Sequence, residues 1–226
     1  MDPNELEAIA RSAGRPRAVH RDLSLNVREE ILTAAAGLFE ANGYTATSTS
    51  SIAGVAGLRQ ASLFHYFARK QDILLELLAR TVRPTLKAVR QNRLEQFDPD
   101  VALWQLVHMD VANLCQGPHN LGALQLLPEA RGPEFEWYWR RRYQLFRVYS
   151  DQVARGFVSG AFSQGDPRTT SEVVFGLVES VIIARPQFRR RTSTPVAIAD
   201  AALGVCGVPV EQIRRVAGTP AAPESR

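Results

Sequence analysis

Residues 31–78 read ILTAAAGLFEANGYTATSTSSIAGVAGLRQASLFHYFARKQDILLELL. From Asn26 the pattern is helical: Val27, Ile31, Ala34, Ala35, Leu38 and Phe39 recur every three or four residues as one apolar stripe. Asn42-Gly43 supplies a left-handed stop. A polar run from Thr45 to Ser51 follows, in which Ser48 can accept the free amides of a helix start. A short helix is expected over about 49–56, with Ile52, Ala53 and Ala56 on one face, ended by Gly57. Leu58 reads as a buried wedge, and a second short helix over about 60–67 turns Leu63 and Phe67 inward. Its other side carries Gln60, Ser62, His65 and Tyr66, a hydrogen-bonding surface. Two helices of about two turns each, joined through a glycine, form a helix-turn-helix. Lys70 opens a longer helix through Ile73, Leu74, Leu77 and Leu78 toward Pro84 or beyond, a connector to the rest of the chain.

Charge and composition fit this reading. The 226 residues are 45% hydrophobic and 22% charged, enough to bury a core. The net charge of +4 is concentrated near the front: Arg11, Arg15, Arg17 and Arg21 lie in a stretch without acids. Residues 1–23 therefore read as a flexible basic arm, either an idle tail or an arm reaching DNA phosphates or the minor groove. A second basic run is Arg189, Arg190 and Arg191. Cys115 and Cys206 form no paired motif, which excludes a disulfide framework or zinc ribbon. No apolar run approaches the roughly 20 residues of a membrane span, and the front lacks the apolar stretch of a secretory signal. The expectation is a cytoplasmic protein with no membrane partner.

Beyond Asp98-Pro99 the chain again reads as helices. They are expected over about 101–115, 121–127, 134–159, 167–184 and 195–205, with a disordered tail over 211–226. No alternating strand pattern and no internal repeat appear. The fold class is all-α: an N-terminal three-helix domain with the helix-turn-helix over 24–70, then a C-terminal helical domain over 71–210.

The stretch from Ile31 resembles the TetR family of transcriptional repressors. The resemblance rests on Leu38-Phe39 followed by Gly43-Tyr44, on Ile52-Ala53-x-x-Ala56-Gly57, and on Ser62-Leu63-Phe64-His65-Tyr66-Phe67 followed by Lys70. It covers about a fifth of the chain. It implies that residues 60–67 are the recognition helix, with Gln60, Ala61, Ser62 and His65 at base edges or nearby backbone. Tyr66 and Lys70 match phosphate-contact positions, and Ser48 and Thr49 match contacts at the preceding helix start. Two departures stand out: Phe64 offers no hydroxyl where the family often has tyrosine, and Ala61 replaces a common glycine or proline. Chemistry agrees independently, since Gln60 can bond an adenine edge bidentately and Arg59 can pair with guanine or phosphate. One helix of about 12 Å reads only a few base pairs, so a homodimer on a palindromic operator is expected. The resemblance implies a four-helix dimer interface from the last two long helices.

It further implies that 24–70 is a DNA-binding domain and 71–210 a ligand-binding and dimerisation domain, with a small-molecule effector bound in the latter. Aromatic and polar candidates for its pocket are Trp104, His108, Trp137, Arg141 and Tyr143, which suit a largely apolar ligand with an acidic or carbonyl end. An enzyme is not expected: His108, Cys115 and His119 match no metal or thiol spacing, and no nucleophile elbow, phosphate loop or dinucleotide fingerprint occurs. No cofactor is expected. The rival readings are a helical metabolite-binding or scaffold protein that does not bind DNA, and a helical enzyme.

Overall fold

The computed structural model describes residues 20–188 and 194–218, and these contain helices and no strand. In chain order they are α1 (His20–Asn42), α2 (Thr49–Val55), α3 (Gln60–Leu63), α4 (Lys70–Asn92), α5 (Pro99–Cys115), α6 (Glu136–Ser159), α7 (Pro167–Phe188), α8 (Thr194–Val205) and α9 (Val210–Ala217). Short 3-10 turns over 94–96, 121–126, 128–131 and 133–135 link the middle helices. Among the described residues no helix is long and apolar enough to cross a membrane.

The N-terminal domain packs α1, α2 and α3 on the start of α4. Ile31, Leu32, Ala35 and Phe39 of α1 are buried with Ile52 and Ala53 of α2, Leu63, Phe67, and Ile73 and Leu74 of α4. Both predicted glycine stops are left-handed, Gly43 at φ 79° and Gly57 at φ 68°, where an L side chain would be strained. After Gly57 the Leu58 amide returns to the Ala53 carbonyl at 2.8 Å, which fixes the turn between α2 and α3.

In the C-terminal domain α5 is the central rod, flanked by α4, α6, α7, α8 and α9. Ala102, Leu103, Leu106, Val107 and Val111 are fully buried. Gly156 of α6 lets the Phe162 ring rest on the helix backbone; a Cβ there would lie 2.0 Å from the ring.

Three sequence expectations are corrected. First, α1 begins at His20, so the proposed arm is shorter than 1–23; Arg11, Arg15 and Arg17, like Arg189, Arg190 and Arg191, lie outside the described residues. Second, the α-helix of the recognition segment spans only Gln60–Leu63. Phe64–Tyr66 continue as turns, with His65 N bonded to the Ser62 carbonyl and Tyr66 N to the Leu63 carbonyl. Third, residues 211–217 are helical rather than a disordered tail. Ile213 and Val216 sit one turn apart on a buried face, and Gln212 Nε2 donates to Asp100 Oδ2 at 2.6 Å.

Candidate nucleic-acid interface and interior polar site

The interface is built from the start of α2 outward. Ser48 and Ser51 form a reciprocal cap: Ser51 N donates to Ser48 Oγ at 3.0 Å and Ser48 N to Ser51 Oγ at 3.1 Å. This satisfies amides that a helix start leaves free and fixes the orientation of α2. Thr49 then meets the recognition segment, because Gln60 Nε2 donates to Thr49 Oγ1 at 2.9 Å. Arg59, Gln60, Ala61 and His65 are exposed, and Ser62 and Tyr66 are half-buried. Ser48, Thr49, Arg59, Gln60, Ala61, Ser62 and His65 thus fall on the two abutting segments. Leu63 and Phe67 anchor the opposite side in the core. Phe64 is 46% exposed, an apolar ring on an otherwise polar ridge.

Lys70 sits differently from its neighbours. Its ammonium donates to the carbonyls of Tyr44 at 2.9 Å and Thr47 at 2.8 Å, and lies 4.2 Å over the Tyr44 ring. Burial lowers its pKa from the usual lysine value. Two of its three donors therefore hold the loop that presents Ser48. Arg28 of α1 similarly stacks 4.2 Å over the Phe67 ring and pairs with Glu76.

The five ligand candidates do not converge. Trp104 and His108 stack at 5.0 Å on α5, and the Trp104 Nε1 donates to Asp200 of α8 at 2.8 Å. Burial lowers the His108 pKa. Trp137 lies instead on α6, with the guanidinium groups of Arg83 and Arg141 at 4.7 and 5.6 Å from its ring centroid. Tyr143 is 61% exposed. Among the described residues no three histidine, cysteine, aspartate or glutamate side chains are grouped to hold a metal.

What gathers inside the C-terminal domain is a polar network. Asp110, on the apolar face of α5, accepts from Thr85 Oγ1 of α4 at 2.8 Å and from Tyr149 Oη of α6 at 3.0 Å. Burial pushes its carboxyl up to about 6, against the pull of those two donors. The Tyr149 phenol is pushed well above its ordinary value by burial, then by Asp110. Beside them Tyr138 Oη donates to Gln125 Oε1 at 3.0 Å, Gln125 Nε2 donates to Glu179 Oε2 at 3.2 Å, and Glu179 pairs with Arg142. The chamber among these groups measures about 10 Å³, room for one water. Sequence reading expected a helix over 134–159 but singled out none of Asp110, Gln125 and Glu179. The available signal was a carboxylate at 110 amid the Val107–Val111 stripe.

Beyond the Arg28–Glu76 pair, further side-chain contacts tie this domain to the DNA-binding one. Arg80 of α4 holds both oxygens of Glu29 of α1, at 2.8 and 2.5 Å. His119 Nδ1 lies 2.9 Å from Glu40 Oε2. The Thr45 hydroxyl donates to Glu129.

Comparison with known proteins agrees with this geometry. Residues 31–77 match the family described as bacterial regulatory proteins, tetR family. The crystal structure of Mycobacterium smegmatis AmtR shares 37% identity with a TM-score of 0.76, covering 92% of this chain and 95% of that one. A fatty acid metabolism regulator protein of Bacillus subtilis (strain 168) is 26% identical over 157 residues, 68% of this chain and 80% of that protein. The HTH-type transcriptional repressor KstR2 of Mycobacterium tuberculosis (strain ATCC 25618 / H37Rv) is 43% identical over 51 residues, 23% of this chain and 26% of that repressor.

Proposed function

The chain belongs to the tetR family of bacterial regulatory proteins, and from that premise we propose that it is a cytoplasmic homodimeric repressor, holding a palindromic operator until a small ligand releases it. The observation that carries the DNA-reading part is the joined ridge. The capped start of α2 and the Gln60–Thr49 bond hold donors and acceptors together, facing away from the core. Gln60 and Arg59 are assigned to base edges, Ala61, Ser62 and His65 to bases or adjacent backbone, and Ser48, Thr49 and Tyr66 to phosphates. Lys70 adds positive potential and positions the loop before α2. The DNA-binding unit is placed at 24–70, and the sensing and dimerisation unit from 71 through α9.

So short a reading segment needs a twin for specificity. Support for a homodimer comes from α7 and α8. Val173, Gly176, Ser180 and Ile183 recur at helical spacing on the outward side of α7, with Ile183 77% exposed. Val196, Ala197, Ala201 and Gly204 do the same on α8. Gly176 and Gly204 face open space where a second backbone could approach. Release requires a ligand that favours the DNA-incompetent form, and the Arg80–Glu29, His119–Glu40 and Thr45–Glu129 contacts are the links through which it would act.

Selection of bound duplexes from a random library by the full-length protein tests this. Recovery of an inverted repeat is expected; recovery of no preferred sequence would favour the scaffold reading and overturn this one.

A further inference from the structure

The connector helix α4 carries Pro84 in its interior. Proline has no amide proton, so the Arg80 carbonyl four residues earlier gets no donor from its own helix. The donor comes from α5 instead. Asn113 Nδ2 lies 3.3 Å from the Arg80 oxygen and 3.0 Å from the Thr81 oxygen. One turn back along α5, Asp110 takes the Thr85 hydroxyl just past the proline. Two side chains of α5 therefore hold the helix where the proline leaves out a hydrogen bond.

A cavity of about 360 Å³ opens beside Pro84, lined by Arg80, Thr81, Pro84, Asn113, Leu114 and Gly122 among others. It shares Thr81, Leu114 and Gly122 with the chamber around Asp110, and Arg80 with a smaller hollow against α1.

We propose that this cavity binds a small uncharged molecule carrying a primary carboxamide, or an equivalent pair of N–H donors, on a compact apolar body. The Arg80 and Thr81 carbonyls are adjacent acceptors, and the group that meets them in the structure is itself a primary carboxamide. A ligand amide competes directly with the Asn113 side chain for them, while Pro84 and Leu114 supply apolar wall. A carboxylate has no proton to give these oxygens, and the guanidinium of Arg80 is already held by both oxygens of Glu29. The regulatory meaning of the site rests on the ligand-release reading above: an occupant that displaces Asn113 removes the α5 side chain that holds the Arg80 and Thr81 carbonyls, and Arg80 is the residue that grips Glu29 on α1.

Benzamide is the probe, titrated calorimetrically into the full-length protein, with acetophenone as the shape without N–H donors and benzoate as the charged control. A fragment of this size should bind with a Kd on the order of 1 mM. Asn113→Ala removes the internal competitor and should tighten benzamide binding about tenfold, the factor equivalent to about 1.4 kcal/mol. Pro84→Ala returns an amide to the Arg80 carbonyl and should weaken binding while folding at least as stably, alanine being the better helix former. Equal benzamide affinity in all three proteins, or equal binding of acetophenone, overturns the site. If Asn113→Ala does not fold, wild type against Pro84→Ala decides alone, and the same affinity in both overturns it. Operator binding is measured separately: benzamide binding in the expected pattern with unchanged operator affinity upholds the site and overturns its link to release.

Discussion

Replacing Asp110 by asparagine should change how stability depends on pH. The carboxyl is buried with its pKa raised to about 6 from a reference of 3.8. Because the folded state holds this proton more tightly than the unfolded chain, the group's contribution is fully present below about pH 3.8. It falls as pH rises toward about 6 and is flat above that. The difference of about 2.2 in pKa corresponds to about 3 kcal/mol in all, with roughly half lost between pH 5 and pH 8. Asparagine keeps the shape and an oxygen for the Thr85 hydroxyl, but carries no charge. Urea unfolding of both proteins at a series of pH values is the assay. The quantity to follow is the stability difference between them, because every other titrating group is common to both. The variant should gain on wild type by about 1–1.5 kcal/mol from pH 5 to pH 8. A difference that stays constant with pH, or grows in the opposite direction, would refute the argument that burial dominates this carboxyl.

Gln105 is buried on α5 with neither amide atom hydrogen-bonded among the described residues. Gln105→Met should raise the denaturation midpoint, stabilising by about 1–3 kcal/mol; a lower midpoint would contradict the reading of an unmet amide. Gly156→Ala places a Cβ 2.0 Å from the Phe162 ring and should destabilise by about 1–3 kcal/mol in chemical denaturation, whereas an unchanged midpoint would show that the ring yields freely. Ile183→Asp puts a charge on the outward face of α7 and should yield monomers in sedimentation velocity; an intact dimer would move the interface elsewhere.

Local physics explains which parts were legible from sequence. Gly43, Gly57 and Ser48 act through their own backbone conformation or through amides three residues away, and the structure places each as expected. The α1 and α2 stripes are likewise local periodicities. The Lys70 ammonium is different, since its acceptors lie 23 and 26 residues back, at a distance no spacing rule covers. The interior network draws on α4, α5, α6, α7 and the 121–126 turn, and no sequence spacing links Thr85, Asp110, Gln125 and Glu179 to one another or to α6. Aromatics at helical spacing pointed to Trp104 and Trp137, but spacing within a helix does not say which neighbour the helix faces. The ridge over α2 and α3 was legible because both of its halves lie within twenty residues of sequence.

The most direct test of that ridge is fluorescence anisotropy of the selected operator and a scrambled duplex, with wild type and Gln60→Ala. Loss of a bidentate base contact is worth about 1–3 kcal/mol, so each half-site should weaken about tenfold or more on the operator while the scrambled duplex is bound as before. Unchanged discrimination between the two duplexes in Gln60→Ala would contradict the assignment of α3 as the reading segment.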